Sequence, residues 1–308
     1  MTFKNALKLS FLNLDKVWKY ILYRAIVWAV IIGLMSPCFF MLKQVAVDCF
    51  SGSALSNFVS TGAFYSGSIT DSAYGLLMEV VNFVVSVAQM YPLVFAYYCF
   101  LIGILLPTLM NMGKYTIDAM IYGYMSSHAK NSFSNTYISG VGKAFVCGFF
   151  RSLFSLVFNL SIVGIFIGIM NIPGDTFKYF APYILILCTA LILTIKQMLV
   201  MGWGPAMIVC DISSTRGFGF GIKTTFRRFW VSFATCFLVY LVAVFLVIGL
   251  GVCSLLVVLP VFSTVMTMAE MILFFGNHGM KYYIDGETII SPKKHEELDK
   301  INQIKFLL

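Results

Sequence analysis

Charge is scarce in this sequence. Only 11% of its 308 residues are Asp, Glu, Lys or Arg, whereas a soluble globular domain has about 25%. Hydrophobic residues make up 60% of the chain. A disordered or collagenous chain would need a different composition, and a soluble fold could not cover this much apolar surface. The composition therefore predicts a protein that crosses a membrane several times.

Residues that build metal centres and disulfide frameworks are few and scattered. The eight cysteines show no paired spacing, and only Cys49 falls in a stretch expected outside the membrane. The histidines, His128, His278 and His295, stand apart and form no paired-ligand motif. No serine occupies a nucleophile elbow. We therefore expect no disulfide framework, no metal site, no cofactor and no enzymatic activity.

Long apolar runs dominate the rest of the chain. A helix needs about 20 apolar residues to cross a hydrocarbon core about 30 Å thick. The runs predict six spans in three hairpins, and therefore an all-α, polytopic transmembrane helical bundle over residues 1–308. The predicted spans are about 18–40, 84–110, 153–170, 181–203, 230–250 and 253–275, in hairpins of about 18–110, 153–203 and 230–275.

The connections within the last and the first predicted hairpins differ in length. A short turn at Gly251 and Val252 is expected to divide the last apolar run into two spans. The first hairpin carries a large outer insertion, with a Ser- and Gly-rich loop at 51–72. We expect 71–82 to be an interfacial helix that bends into the second span. A re-entrant element within 71–110 is the alternative.

The distribution of basic residues gives the orientation. The chain has 21 Lys and Arg against 13 Asp and Glu, a net charge of +8. With six spans and a cytoplasmic N-terminus, 19 of the 21 basic residues lie inside, and only Lys43 and Lys178 lie outside. This asymmetry follows the positive-inside rule. We expect both termini in the cytoplasm, with 1–17 as a lead-in helix and 277–308 as a tail, and no binding of nucleic acid.

Three stretches of the chain look alike. Each has a basic, amphipathic lead-in and then an apolar span that ends in small or turn-forming residues. In each copy the apolar block follows a lead-in lysine by 17 or 18 residues. The lysines are Lys8, Lys143 and Lys223. This offset predicts three copies of one unit: a helix on the inner surface, a span going out and a span returning.

The basic residues of these lead-in helices are candidates for contact with anionic lipids or with a membrane or cytoplasmic protein partner. Aromatic residues accompany the cations, so such a helix can lie in the membrane interface with its charges near headgroups. An ordinary positive-inside flank is the alternative interpretation. The candidate contacts are Lys4, Lys8, Lys143, Arg151, Lys223, Arg227 and Arg228.

Four polar residues lie within predicted spans, where each needs a partner or a function. Lys196 and Glu270 lie at similar depths in the fourth and sixth spans, and we predict that they form a buried ion pair. Snorkelling of Lys196 to the interface is one alternative, and a transport or proton-relay role is another. Asn159 and Gln197 are candidates for interhelical hydrogen bonds.

Two glycine patterns can be interpreted from spacing. Gly164 and Gly168 form a GxxxG pattern that would let another helix approach closely. The run from Gly217 to Gly221 looks like a phosphate loop, but no strand precedes it and no lysine-serine step follows. We predict that this run is a flexible joint before the third lead-in helix.

The three repeated units around Lys8, Lys143 and Lys223, together with six predicted spans, give the chain a resemblance to the YciC-like bacterial membrane proteins. It is also similar to the membrane domains attached to glycerophosphodiester phosphodiesterases. The resemblance covers the whole chain but is architectural, so no catalytic or binding residue carries over. It implies a location in the bacterial plasma (inner) membrane.

Two classes of function fit the sequence. The first is a non-enzymatic accessory or scaffold component that acts on lipids or a partner protein through its bundle and its basic inner face. The alternative is a solute transporter, or a permease subunit, with a site between hairpins. Lys196, Glu270 and Asn159 would then face a water-filled cavity, whereas a dry interface around them would argue against transport.

Overall fold

The computed structural model describes residues 2–50, 69–170, 172, 175–250, 255–285 and 289–290. This part of the chain is almost entirely helical, which confirms the all-α class. It also contains two strands of two residues each, β1 (Tyr282–Tyr283) and β2 (Ile289–Ile290), which pair antiparallel. The helices are α1 (Thr2–Leu12), α2 (Leu14–Met35), α3 (Phe39–Phe50), α4 (Ile69–Met90), α5 (Pro92–Phe100), α6 (Leu106–Ser127), α7 (Phe133–Met170), α8 (Asp175–Val200), α9 (Trp203–Val209), α10 (Ser214–Arg227), α11 (Phe229–Leu250) and α12 (Leu255–Asn277).

Several helices are long and apolar enough to cross a membrane. Within the described residues there are four such stretches, or five if α10 and the start of α11, which meet at 95°, are counted as one broken span. The four stretches are Leu14–Cys49, Pro92–Ser127, Phe133–Ile169 and Tyr183–Val209. The chain therefore has the character of a membrane protein. The predicted turn at Gly251 lies outside the described residues, between the end of α11 and the start of α12.

The second predicted span, 84–110, is displaced in the structure. Helix α4 continues to Met90 without the bend expected near residue 82, and it is followed by Tyr91, whose φ of −133° and ψ of 65° are not helical. A new helix begins at Pro92, because proline suits the first turn, where its missing N–H is not needed. It continues through a π-helical turn at Leu101–Leu105 into α6. Residues 111–127, expected in a loop, are therefore helical.

The chain divides into two compact units, and the first comprises 1–27, 107–152 and 193–308. Helix α12 is its centre, since every residue from Thr264 to Phe275 is buried. Most of these residues are apolar, and a helix that is largely apolar on all sides is expected to be buried. Helices α1, α9, α10 and α11 pack against α12. Methionines fill much of the surrounding core, among them Met120, Met125, Met268 and Met271.

The glycine run in α10 is a packing surface. The prediction of a flexible joint is wrong, because α10 is helical from Ser214. A Cβ on Gly221 would lie 2.6 Å from the carbonyl carbon of Gly202, so only glycine permits this close approach of α9 and α10. The GxxxG pattern at Gly164 and Gly168 does not act in this way: a Cβ at either residue would meet nothing described within 4 Å.

The second unit comprises 28–106 and 153–192. Helix α3 packs against α4 through Leu42, Val45 and Val87. The hydroxyls of Tyr97 and Tyr98 donate hydrogen bonds of 2.9 and 3.0 Å to the carbonyls of Leu34 and Met35. These bonds bring side-chain donors to carbonyl groups at the end of α2. Most of the loop predicted at 51–72 lies outside the described residues.

Candidate functional site

Six polar side chains from five helices meet inside the first unit, and we call this group the buried polar cluster. All except Tyr240, which is half-buried, are less than a tenth exposed. The cluster brings together charges that are far apart in the sequence. Its members are Lys114 and Asp118 from α6, Arg151 from α7, Gln197 from α8, Tyr240 from α11 and Glu270 from α12.

Glu270 is the centre of the cluster. Its carboxylate accepts hydrogen bonds from Lys114 Nζ and Gln197 Nε2, and Arg151 Nη2 lies 3.7 Å from its Oε1. The Tyr240 hydroxyl donates a hydrogen bond of 3.2 Å to Gln197 Oε1. The interhelical hydrogen bonding predicted for Gln197 is therefore present. Buried carboxylates are stable only with such a set of donors.

The predicted ion pair between Lys196 and Glu270 is replaced in the structure by the contacts of Glu270 with Lys114 and Arg151. The reason is the geometry of α8. Lys196 and Gln197 are successive residues, so their side chains point about 100° apart around the helix. Gln197 faces Glu270, and the half-buried Lys196 takes another direction, within electrostatic range of Arg151.

Arg151 was predicted as a contact for lipid or a partner, and this prediction is wrong. Its side chain is only 7% exposed. Helix α7 is continuous over Phe133–Met170, so Arg151 lies in the middle of a membrane-length helix and not in its basic flank. There the Glu270 carboxylate provides the counter-charge that a guanidinium needs in apolar surroundings.

Asp118 is the member of the cluster without a direct partner. Its side chain is fully buried, and neither carboxylate oxygen has a hydrogen bond. Lys114 precedes it by one turn on α6, and Gly204 is so close that a Cβ there would lie 2.9 Å from Asp118 Oδ2. Such a carboxylate is costly, and in a membrane protein it is a candidate for function.

Small polar groups join α6 to α7 beside the cluster. Thr108 Oγ1 donates a 3.1 Å hydrogen bond to Ser152 Oγ, which in turn donates to the carbonyl of Gly148 at 2.7 Å. A Cβ on Gly148 would lie 2.9 Å from the Thr108 carbonyl oxygen, so the two backbones approach closely. Asn159, the other predicted hydrogen-bonding residue, is half-buried in the second unit.

Sequence reasoning missed Lys114 and Asp118. Both were assigned to a cytoplasmic loop because the apolar run was ended at Met110. The sequence did offer one signal: the apolar residues Met112, Ile117, Met120 and Ile121 surround the two charges on several sides of a helix. In the structure all four are buried. Lys114 and Asp118 are four residues apart, the spacing that puts two side chains on one helix face.

The remaining candidate cations lie at or near the surface. Lys4, Lys8, Lys143 and Lys223 are exposed, whereas Arg227 and Arg228 are half-buried. Two of the lysines form ion pairs of 2.6 Å, Lys8 with Asp285 and Lys143 with Asp211. The hydrogen bond from Lys143 holds the pKa of the Asp211 carboxyl below its usual range.

The three predicted copies share a pattern of burial. Residues one, nine and twelve positions after the lead-in lysine are buried in every copy, and those three and seven positions after it are exposed. The buried set is Leu9, Val17, Tyr20, Ala144, Ser152, Ser155, Thr224, Ser232 and Thr235. The exposed set is Phe11, Asp15, Val146, Phe150, Phe226 and Trp230.

The chemistry available to these two groups of residues is electrostatic. In the part of the chain that the structure describes, no three His, Cys, Asp or Glu side chains are grouped to hold a metal ion. The buried polar cluster can hold helices together or carry charge, and the exposed cations can bind anions. No protein-family model, no curated protein and no solved structure matches this chain, so its function rests on the geometry of these two groups.

Proposed function

We propose that the protein is a non-enzymatic, multi-pass component of the bacterial plasma membrane that acts on anionic lipids or a partner protein through a basic inner face. The burial pattern shared by the three copies carries this proposal. In each copy the lysine is exposed together with the positions three and seven residues later, and five of those six positions are apolar. A cation beside exposed apolar groups suits the boundary between headgroups and acyl chains.

The proposal includes six spans with both termini in the cytoplasm. Adding α11 and α12 to the four apolar stretches gives that number. In this arrangement Lys43 and Lys178 are on the outer side, Lys114 and Arg151 are within the membrane, and the other 17 basic residues are at or toward the inner side. The same arrangement underlies the resemblance to the YciC-like proteins. An even number of spans is needed to keep the basic lead-in helices on one side.

The buried polar cluster has a structural role in this proposal. Glu270 on the central helix is held by donors from α6, α7 and α8, so the cluster fixes these helices around α12. Five of its six members are less than a tenth exposed, which suits a lock between helices better than a path for solute. An accessory protein with a fixed bundle would present its basic surface in one defined arrangement.

The lipids that accompany the purified protein test the proposal. The protein is extracted from its native membrane in polymer nanodiscs, and the retained lipids and proteins are quantified against the bulk membrane. We expect enrichment of anionic lipid or a stoichiometric partner protein. A variant with Lys8, Lys143 and Lys223 all changed to Gln is the control and should lose the enrichment. Lipids at bulk composition with no partner would contradict the proposal.

A permease is the second candidate, and the buried, unpaired carboxylate of Asp118 favours it. Glu270, which was first expected to line a cavity, does not support it, because its side chain is fully buried. Proteoliposomes containing a trapped pH-sensitive dye would test for proton flux. Flux lost in Asp118→Asn but kept in the exposed Asp15→Asn would support transport, and no flux above empty vesicles would argue against it.

A further inference from the structure

The three lead-in lysines are equivalent in the burial pattern but differ in their ion pairs. Lys8 contacts Asp285 and Lys143 contacts Asp211, each at 2.6 Å. Lys223 is exposed on α10 and forms no ion pair with any residue that the structure describes. Among the described residues, the first two lysines therefore have a carboxylate as counter-ion and the third has none.

The segment of chain that contains Lys223 carries positive charge only. From Ser214 to Trp230 the sequence contains Arg216, Lys223, Arg227 and Arg228 and no acidic residue. An anion that approaches this segment therefore meets no acidic residue that belongs to it. Several cations that converge on one site favour phosphate, because they share its charge and offer many donors.

Apolar groups lie directly beside these charges. Phe226, one turn after Lys223, is 47% exposed, and Trp230 is 77% exposed. Helix α10 meets α11 at 95°, so when α11 crosses the membrane α10 lies along its surface. Exposed tryptophan and phenylalanine at such a corner are typical of the level where headgroups meet acyl chains.

We propose that this corner, formed by Lys223, Phe226, Arg227, Arg228 and Trp230, binds the headgroup of an anionic phospholipid, and that the equivalent surfaces at Lys8 and Lys143 do not. The Lys223 ammonium donates to the lipid phosphate, and the two aromatic side chains contact its glycerol and upper acyl region. The inference rests on the proposed function and narrows it to one copy and one class of ligand.

The test uses delipidated full-length protein titrated with phosphatidylglycerol and, separately, phosphatidylcholine, with bound lipid counted by native mass spectrometry. We expect Lys223→Gln to weaken phosphatidylglycerol binding about fivefold, the factor that corresponds to about 1 kcal/mol for one cation at an anionic surface. Lys223→Arg should retain binding. Lys8→Gln and Lys143→Gln are the matched controls and should bind like the unaltered protein. All four lysine variants change exposed positions and should keep the unaltered thermal midpoint.

Four results would overturn the inference. Equal losses in all three Gln variants would indicate a general surface-charge effect, while the proposed function would still stand. Full competition by soluble glycerol phosphate, with no loss in Trp230→Ala, would identify a site for free phosphate. Loss of a co-purified acidic protein in Lys223→Gln, at unchanged lipid affinity, would identify a protein occupant. No phosphatidylglycerol preference in the unaltered protein would remove the inference but leave a partner-protein function possible.

Discussion

Glu270 receives donors from three other helices and has no exposed side-chain surface. At the scale of single residues, two cations therefore depend on this one carboxylate for their counter-charge. Lys114 and Arg151 are both buried, and Glu270 is the acidic group that the structure places within 4 Å of each. Removing a single charge would leave two others uncompensated.

We therefore expect Glu270→Gln to lower the free energy of unfolding by about 3–5 kcal/mol, the usual cost of breaking a buried ion pair. The side chain keeps its shape, so the loss reports charge and not volume. Unfolding in mixed detergent micelles, followed by circular dichroism, measures the effect.

Asp118→Asn is the matched control for this experiment. Asp118 is equally buried and belongs to the same cluster, but its carboxylate accepts no hydrogen bond. We expect a change of less than about 1 kcal/mol, because the amide avoids the cost of burying an unpaired charge. A loss as large as that of Glu270→Gln would show that the cluster is not organised around Glu270.

Only some residues of the buried polar cluster could be predicted from the sequence. Glu270 and Gln197 were identified because each lies in an unmistakably apolar run. Their partners were not, because a hydropathy pattern penalises the charge of Lys114 locally, whereas the carboxylate that neutralises it lies 156 positions away. The pairing of Glu270 with Lys114 and not with Lys196 depends on helix rotation, which a single sequence does not specify.

At the scale of helices, the contact between α9 and α10 depends on the absence of side chains. A Cβ on Gly221 would meet the carbonyl carbon of Gly202 at 2.6 Å and the amide nitrogen of Trp203 at 2.7 Å. Backbone atoms cannot move aside as a flexible side chain can. We expect Gly221→Ala to cost about 1–3 kcal/mol, as overpacking usually does. Thermal unfolding in detergent would measure the loss.

Gly219→Ala provides the control in the same helix. Gly219 is exposed, and a Cβ there would meet nothing within 4 Å. Alanine is the better helix former, so this change should stabilise the protein by up to about 1 kcal/mol. If both variants unfold at the same temperature, the close approach of α9 and α10 is contradicted.

Helix type could be predicted from composition, but helix ends and faces could not be predicted equally well. Helix α11 ends at Leu250, the residue at which the fifth span was predicted to end, whereas the second span was placed too early. Pro92 starts a helix after the non-helical Tyr91, and the apolar composition of 84–110 does not reveal this break. Likewise, GxxxG spacing occurs at Gly164 and at Gly217, and only the second has a helix against it.

At the scale of the whole molecule, the number of crossings before α7 decides on which side of the membrane Lys130 lies. Helix α4 contains a shorter apolar segment, Met78–Met90, in addition to the long stretches Leu14–Cys49 and Pro92–Ser127. With two crossings, Lys4 and Lys130 lie on the same side of the membrane and Lys43 lies on the other. With three crossings, Lys130 changes sides and the basic asymmetry is lost.

Single cysteine variants distinguish these arrangements. Lys4, Lys43 and Lys130 are all exposed, so Lys→Cys changes there should leave the fold intact. An impermeant maleimide applied to intact cells should label Lys43→Cys above the background of the unaltered protein. Lys4→Cys and Lys130→Cys should react only after permeabilisation, because the positive-inside rule keeps both in the cytoplasm. Labelling of Lys130→Cys in intact cells would mean that α4 also crosses, and it would contradict the six-span arrangement.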